Sequence, residues 1–247
     1  MAGRLIEQLF RAKPGSPREV KRFLKRHVRH ALPSHILSLD DDPYPPNDRL
    51  LDLALEAIRA ARVLDLTGLA GRFQAGTREF LPVWPGEHYR LLAGLVSVLR
   101  PRLVIEIGTA TGASCLAMKP YLPPEGRIVT YDLIPWERCE GAGMTAEDFD
   151  GRLEQRVLDL TEPEAGRGEE GLFRQAEFLF VDAAKDGVME ERLVAWFDRM
   201  AWGAPPVVMF DDIRFVEMIP VWRNIRHPKL DITSFGHWSG SGLVDWR

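Results

Sequence analysis

Leu103-Val104-Ile105-Glu106-Ile107-Gly108-Thr109-Ala110-Thr111-Gly112-Ala113-Ser114 is the stretch that decides the fold. Leu103–Ile107 is a short apolar run that ends in glycine, the pattern of a strand buried on both faces. A helix is expected next, over 113–121. A glycine-bearing turn between strand and helix lets the backbone approach a ligand closely. The free N–H groups of the helix start then face that ligand. A dinucleotide fold seats a pyrophosphate with the spacing G-x-G-x-x-G. Here the spacing is G-x-x-x-G, and Glu106 stands two residues before Gly108. A carboxylate at that point argues against a pyrophosphate and for a cationic group, such as the ammonium of an amino acid.

Outward from this stretch, further strands are expected at 127–133, 154–158, 176–181 and 206–210. Helices are expected at 86–99 and 188–200. Strands alternating with helices imply a mostly parallel sheet covered on both faces. The tail differs: two strands, 230–235 and 243–246, flank the Gly/Ser-rich turn 236–242, as in an antiparallel hairpin. The expected fold is therefore α/β: a Rossmann-like, mostly parallel seven-stranded sheet with helices on both faces and a C-terminal antiparallel hairpin. Before it, residues 1–85 read as an N-terminal helical extension, and 86–247 as the main domain. Ser16-Pro17-Arg18-Glu19 is a helix start with a capping box. Val20, Phe23, Leu24, Val28 and Ala31 follow at helical spacing. Residues 40–47 (DDDPYPPN) read as a linker, and a second helix is expected over 49–64.

The 247 residues carry a net charge of −4 and 45% hydrophobic residues, which is ordinary globular composition. Wholly disordered and collagen-like chains are excluded. No apolar run approaches the roughly 20 residues of a membrane span. The N-terminus shows no secretory h-region, and two cysteines make no disulfide framework. A cytoplasmic location is expected. Residues 1–38 carry nine Lys and Arg against Glu7 and Glu19, so the acidic excess lies in the remainder. That acidic body disfavours nucleic acid as a partner.

Asp132 closes the second strand. A carboxylate there can accept hydrogen bonds from ribose hydroxyls. Asp159 follows the third strand and has two readings, a contact to an adenine amino group or a cap for the segment from Thr161. The run VIEIGTATGAS with Asp132 resembles the first two motifs of class I S-adenosylmethionine-dependent methyltransferases, and the C-terminal hairpin strengthens the likeness, which covers roughly residues 86–247. That resemblance implies a cofactor site made of Glu106 at the methionine ammonium, Ser114 and the loop amides of Gly108, Thr109 and Gly112 at its carboxylate, and Asp132 at the ribose. Asp159 and Asp182 complete the expected set.

Asp182 ends the fourth strand, and Asp211 with Asp212 end the fifth. Ligands of open α/β sheets bind beyond the carboxyl ends of the strands, so three carboxylates would converge there. Like charges that close resist joint ionisation unless a cation joins them. Oxygen donors suit Mg²⁺, Mn²⁺ or Ca²⁺, of which Mg²⁺ is the expected ion. The arrangement resembles the metal-dependent small-molecule O-methyltransferases of the catechol and caffeoyl-CoA type. Asp212 departs from their Asp-Asn pair, and the Asp-Asp pair is similar to the macrolide and aminocoumarin relatives. Lys185, three residues after Asp182, matches the general-base lysine of the catechol type; its other reading is a salt bridge on a solvated loop. The acids' other reading is helix capping. The resemblance thus implies S-adenosylmethionine, a divalent metal at Asp182, Asp211 and Asp212, and a small hydroxylated acceptor. It leaves room for a homodimer.

Other readings compete. One is a metal-independent methyltransferase acting on nitrogen or a macromolecule, another a non-catalytic nucleotide-binding protein on the same fold. An NAD-dependent oxidoreductase is disfavoured by the glycine spacing and Glu106. His88, at a helix start, reads as a packing or capping residue. The 237–240 turn is a candidate acceptor-pocket wall, with Trp238 either there or packed on the hairpin. Trp84 and Trp136 are candidate aromatic walls.

Overall fold

The computed structural model describes residues 43–247. The expected basic helix at 16–32 and the first part of the 40–47 linker lie outside them. In chain order the helices and strands begin with α1 (Asp48–Ala61), α2 (Thr67–Ala70), α3 (Thr77–Phe80) and α4 (His88–Leu99). Then come β1 (Leu103–Ile107), α5 (Ala113–Met118), β2 (Arg127–Asp132) and β3 (Leu153–Val157). α6 (Pro163–Phe173), β4 (Phe178–Val181), α7 (Val188–Arg199) and β5 (Val207–Asp211) follow. α8 (Met218–Asn224), β6 (Lys229–Asp231) and β7 (Ser241–Asp245) complete the series.

The strands form one sheet in the order β3-β2-β1-β4-β5-β7-β6. β1 to β5 run parallel, and β7 is antiparallel to both β5 and β6. The mostly parallel seven-stranded sheet is as expected. The antiparallel hairpin is present as expected: β7 lies beside β5, and β6 beyond it forms one edge of the sheet. Thr233–Phe235, expected as strand, is a turn of 3₁₀ helix. Asp231 explains the break, because its Oδ1 accepts from Thr233 N (2.9 Å) and Oγ1 and so bends the chain out of the ladder.

Every residue of β1, β4, β5 and β7 is buried, as for strands covered on both faces. Side chains alternate across the sheet. Val104 joins a core with α1, α4 and α5 through Leu53, Leu95 and Leu116. Leu103, Ile105 and Ile107 join the opposite core with Phe173 of α6 and Leu193 and Phe197 of α7. Glu106 shares the face of Val104, which aims its carboxylate at α5.

α1, assigned from sequence to the N-terminal extension, shares the sheet's core through Leu50, Leu53, Ala54 and Ala57. Asn47 caps it, accepting from Leu50 N at 3.0 Å. Asn47 Nδ2 (2.8 Å) and Arg49 Nη1 (2.5 Å) both donate to the buried Asp245 at the end of β7.

Candidate active site

Two clusters of polar residues lie at the carboxyl ends of the central strands. The first is the glycine loop. Gly108 has φ +103°, and a Cβ there would stand 1.9 Å from the carbonyl oxygen of Asp182. The loop therefore passes directly against the end of β4. Asp132 fixes its other side: Oδ2 accepts from Ala110 N at 2.9 Å, and Oδ1 from Leu133 N and Ile134 N. Ala110 is left-handed, at φ 42°, which is uncommon for a residue with a Cβ.

Glu106 is fully buried beneath the loop. Its carboxylate accepts from Thr130 Oγ1 at 2.6 Å, from Cys115 Sγ, and from Ser114 Oγ. Burial pushes its pKa up to about 7, although Cys115, Ser114 and Thr130 all favour the charged form. Thr109 is buried and bonds Thr130 at 2.8 Å. The structure thus brings Glu106, Gly108, Thr109, Gly112, Ser114 and Asp132 together, with Ser114 turned onto Glu106. A cleft of about 250 Å³ opens beside them, lined by Gly108, Ala110, Asp132, Leu133, Asp182 and Met189. Asp159 is not among its lining residues. Asp159 Oδ1 accepts from Thr161 N (2.8 Å) and Thr161 Oγ1 (2.7 Å), a local cap. A second cleft of about 430 Å³ between α6 and α7 is larger but holds none of these groups.

The second cluster is acidic and contiguous with the first through Asp182. Lys185 Nζ lies 3.0 Å from Asp182 Oδ1 and also pairs with Asp212. Burial works against the lysine charge, but the two carboxylates outweigh it and hold its pKa above the ordinary lysine value. Asp186, the other nearby acid in sequence, instead caps α7 by accepting from Val188 N and Met189 N. Burial first, and then the charge of Asp211, push the Asp182 carboxyl up. Asp212 is held below the ordinary carboxylate range: its burial is outweighed by His237, Lys185 and Ser239. Asp211 bonds His237 Nδ1 at 3.1 Å and Ser241 Oγ at 3.4 Å. Among the described residues neither Asp211 nor Asp212 caps a helix with its side chain: Asp211 is held by His237 and Ser241, and Asp212 by Lys185, His237 and Ser239. Lys185 and Asp212 both have left-handed backbones, at φ 60° and 57°. Such conformations cost energy and gather at functional sites.

Sequence reasoning missed two members. Glu87 and His88 open α4, both buried, and reach the same place. His88 Nδ1 lies 3.4 Å from Asp211 Oδ2, and Glu87 Oε2 lies 3.3 Å from His237 Nε2. His237 is pushed up to about 10: burial lowers it, but bonds to Asp211 and Asp212 and the charge of Glu87 prevail. The only signal in the sequence was a Glu-His pair at a helix start. Of the aromatic candidates, Trp136 stacks on Phe149 at 5.4 Å, and Trp238 is 69% exposed, which goes against its packing on the hairpin.

Three comparisons place the chain among known proteins. Residues 83–194 match the O-methyltransferase family model. Catechol O-methyltransferase domain-containing protein 1 of Mus musculus is 32% identical over 122 residues, covering 46% of this chain and 42% of that protein. The chain therefore matches less than half the length of that curated relative. A methyltransferase from Geobacter sulfurreducens superposes with a TM-score of 0.51 at 16% identity, over 81% of this chain and 96% of that one. An O-methyltransferase family protein from Burkholderia thailandensis gives 0.50 at 14% identity, over 70% and 57%. These two likenesses speak for the fold. The family match spans the glycine loop, Asp132, Asp182 and Lys185, and stops short of Asp211. Residues 83–194 are thus similar to the O-methyltransferase family, and they are set in an α/β methyltransferase fold.

Proposed function

We propose that this protein transfers a methyl group from S-adenosylmethionine to a hydroxyl of a small molecule, with a divalent cation at the strand ends. The observation that carries the reading is the junction at Asp182. There a cleft lined by Asp132 and the glycine loop meets half-buried Asp182 and, beyond it, buried Asp211 and Asp212, with Asp182 and Asp212 joined through Lys185.

The residues present fit both groups. Glu106 is a buried acid balanced near neutrality, so a cationic ammonium would favour its charged form. Asp132 is oriented by three backbone N–H groups, and Oδ2, with a single donor, keeps capacity for a ribose hydroxyl. Four carboxylates, counting Glu87, face one lysine and two histidines, and the lysine reaches only Asp182 and Asp212. That donor set suits a divalent cation bound through Asp182, Asp211 and Asp212. When bound, the cofactor supplies an electrophilic methyl, and the cation lowers the pKa of a hydroxyl beside it.

The chain's own part is alignment and proton handling. The rigid end of β4 sets Asp182 between the two sites, and alignment of this kind lowers barriers by several kcal/mol. Lys185 Nζ is the group placed to take the acceptor's proton. Held as an ammonium by Asp182 and Asp212, it can act so only when those carboxylates are neutralised by another cation.

The test is a thermal melt of the full chain with S-adenosylmethionine and, separately, NADH, followed by transfer of labelled methyl to a panel of catechols and phenols with and without chelator. A ligand at a hundred times its dissociation constant stabilises by about 2.7 kcal/mol, which moves the midpoint by roughly 5–11 °C in a chain this size. The expected result is a shift with S-adenosylmethionine alone, and chelator-sensitive transfer. A shift with NADH instead would overturn the cofactor assignment, and full turnover after chelation would overturn the metal.

A further inference from the structure

We propose that His88 is a metal ligand, which makes the strand-end site a mixed imidazole–carboxylate centre of His88, Asp182 and Asp211 selective for a first-row transition dication over Mg²⁺. The inference rests on the metal assignment proposed above and changes both its donor set and its metal.

His88 is 4% exposed, and among the described residues neither of its ring nitrogens makes a hydrogen bond, the nearest carboxylate oxygen being Asp211 Oδ2 at 3.4 Å from Nδ1. Buried polar groups in folded proteins are almost always paired, because an unpaired one forfeits its hydration with nothing in return. The ring cannot turn away to find water. It is packed against Tyr89 at 4.4 Å and Phe180 at 5.4 Å, with His237 edge-on at 5.2 Å. It is held facing the acids: a ring nitrogen of His88 and carboxylate oxygens of Asp182 and Asp211 all lie within 4.8 Å of one another. That separation lets one ion touch all three with small adjustments.

His237 plays a different part. Its Nδ1 faces Asp211, Asp212 and, at 2.7 Å, Ser239 Oγ, and its Nε2 faces Glu87. Both nitrogens are already engaged, so His237 is a positioning residue that orients Asp211 and Asp212. Side chains that hydrogen-bond metal-binding carboxylates in this way hold them in place. Of the two histidines, only His88 has free lone-pair capacity turned toward the carboxylates.

The donor type sets the metal. Mg²⁺ favours oxygen and gains little from an imidazole. Mn²⁺, Co²⁺ and Zn²⁺ accept nitrogen readily, and Co²⁺ binds such mixed sites more tightly than Mn²⁺.

The experiment uses the full chain, stripped of metal and reloaded. Calorimetry with Mg²⁺, Mn²⁺, Co²⁺ and Zn²⁺ gives affinities. Electron spin-echo spectroscopy of the Mn²⁺-loaded protein reports any directly bound nitrogen through its ¹⁴N modulation. Expected are affinities for Co²⁺ and Zn²⁺ at least about tenfold above that for Mg²⁺, and a nitrogen signal in the wild-type protein. His88→Gln should lose that signal and about tenfold or more in Co²⁺ affinity, whereas His237→Gln should keep the signal. Mn²⁺ binding without nitrogen modulation in the wild type, which requires no variant to fold, overturns the inference and leaves the all-carboxylate metal site standing. A signal that survives in His88→Gln overturns it too. Failure of every cation to bind overturns both the inference and the metal assignment beneath it.

Discussion

The Lys185 ammonium and the Asp182 carboxylate stand 3.0 Å apart at the end of β4, and the same ammonium closes onto Asp212 beyond β5. One side-chain cation thus occupies two of the carboxylates proposed to hold a metal. Lysine and metal are competitors for the same charge. Replacing Lys185 with Met should therefore raise Mg²⁺ or Mn²⁺ affinity while reducing methyl transfer by about 10²–10⁴-fold, the usual contribution of a general base. Calorimetry and initial rates on the same preparation check both halves. Weaker metal binding in Lys185→Met would show that the lysine supports the site instead of competing for it.

Glu106 ties stability to pH. Its pKa is about 7 in the folded chain against an ordinary 4.5, so the folded state holds its proton more tightly. A raised folded pKa gives stability that is fully present below about 4.5 and is lost as pH rises through about 7. Across that window the ligand-free protein should lose about 3 kcal/mol through this residue. Urea titrations at a series of pH values should show the slope in the wild type and its disappearance in Glu106→Gln. A cationic ligand that favours ionised Glu106 should, conversely, bind more tightly as pH rises from 6 to 8. Affinity for S-adenosylmethionine that is flat over that range would separate Glu106 from the ammonium.

Asp132 does two jobs through three N–H bonds, one of which crosses to Ala110 in the glycine loop. Asp132→Ala removes a charge-assisted acceptor worth about 1.5–3 kcal/mol, so cofactor affinity should fall at least tenfold. Asp132→Asn keeps one acceptor oxygen and should lose less. Fluorescence or calorimetric titration of both variants measures the order; equal affinities in the two would remove the ribose role.

Gly108 has no space for a side chain. A Cβ would meet the Asp182 carbonyl at 1.9 Å on a backbone already at φ +103°. Gly108→Ala should destabilise the protein by more than about 2 kcal/mol and displace Asp182. The melting midpoint and cofactor affinity should fall together. A variant with a wild-type midpoint would mean that the loop can swing clear of β4.

The strands were legible because their signals are local. Leu103–Ile107 reads as buried from five adjacent residues, and Gly108, Asp132, Asp182 and Asp211 are placed by the single rule that loops at strand ends carry function. Where local rules compete, reading failed: Thr233–Phe235 has strand-like residues, but the Asp231 side chain captured the backbone first.

The sequence by itself determined the succession of parallel strands, the glycine turn and the acids at the strand ends, since each is written in a dozen contiguous residues. The tertiary structure alone decided which groups share one site. His88 and His237 lie 149 residues apart in sequence, yet their rings are 5.2 Å apart. It also decided that Lys185 is held charged by two carboxylates and that Glu106 is held near neutrality. Burial and the distance between charges set those properties, and neither exists until the chain has folded.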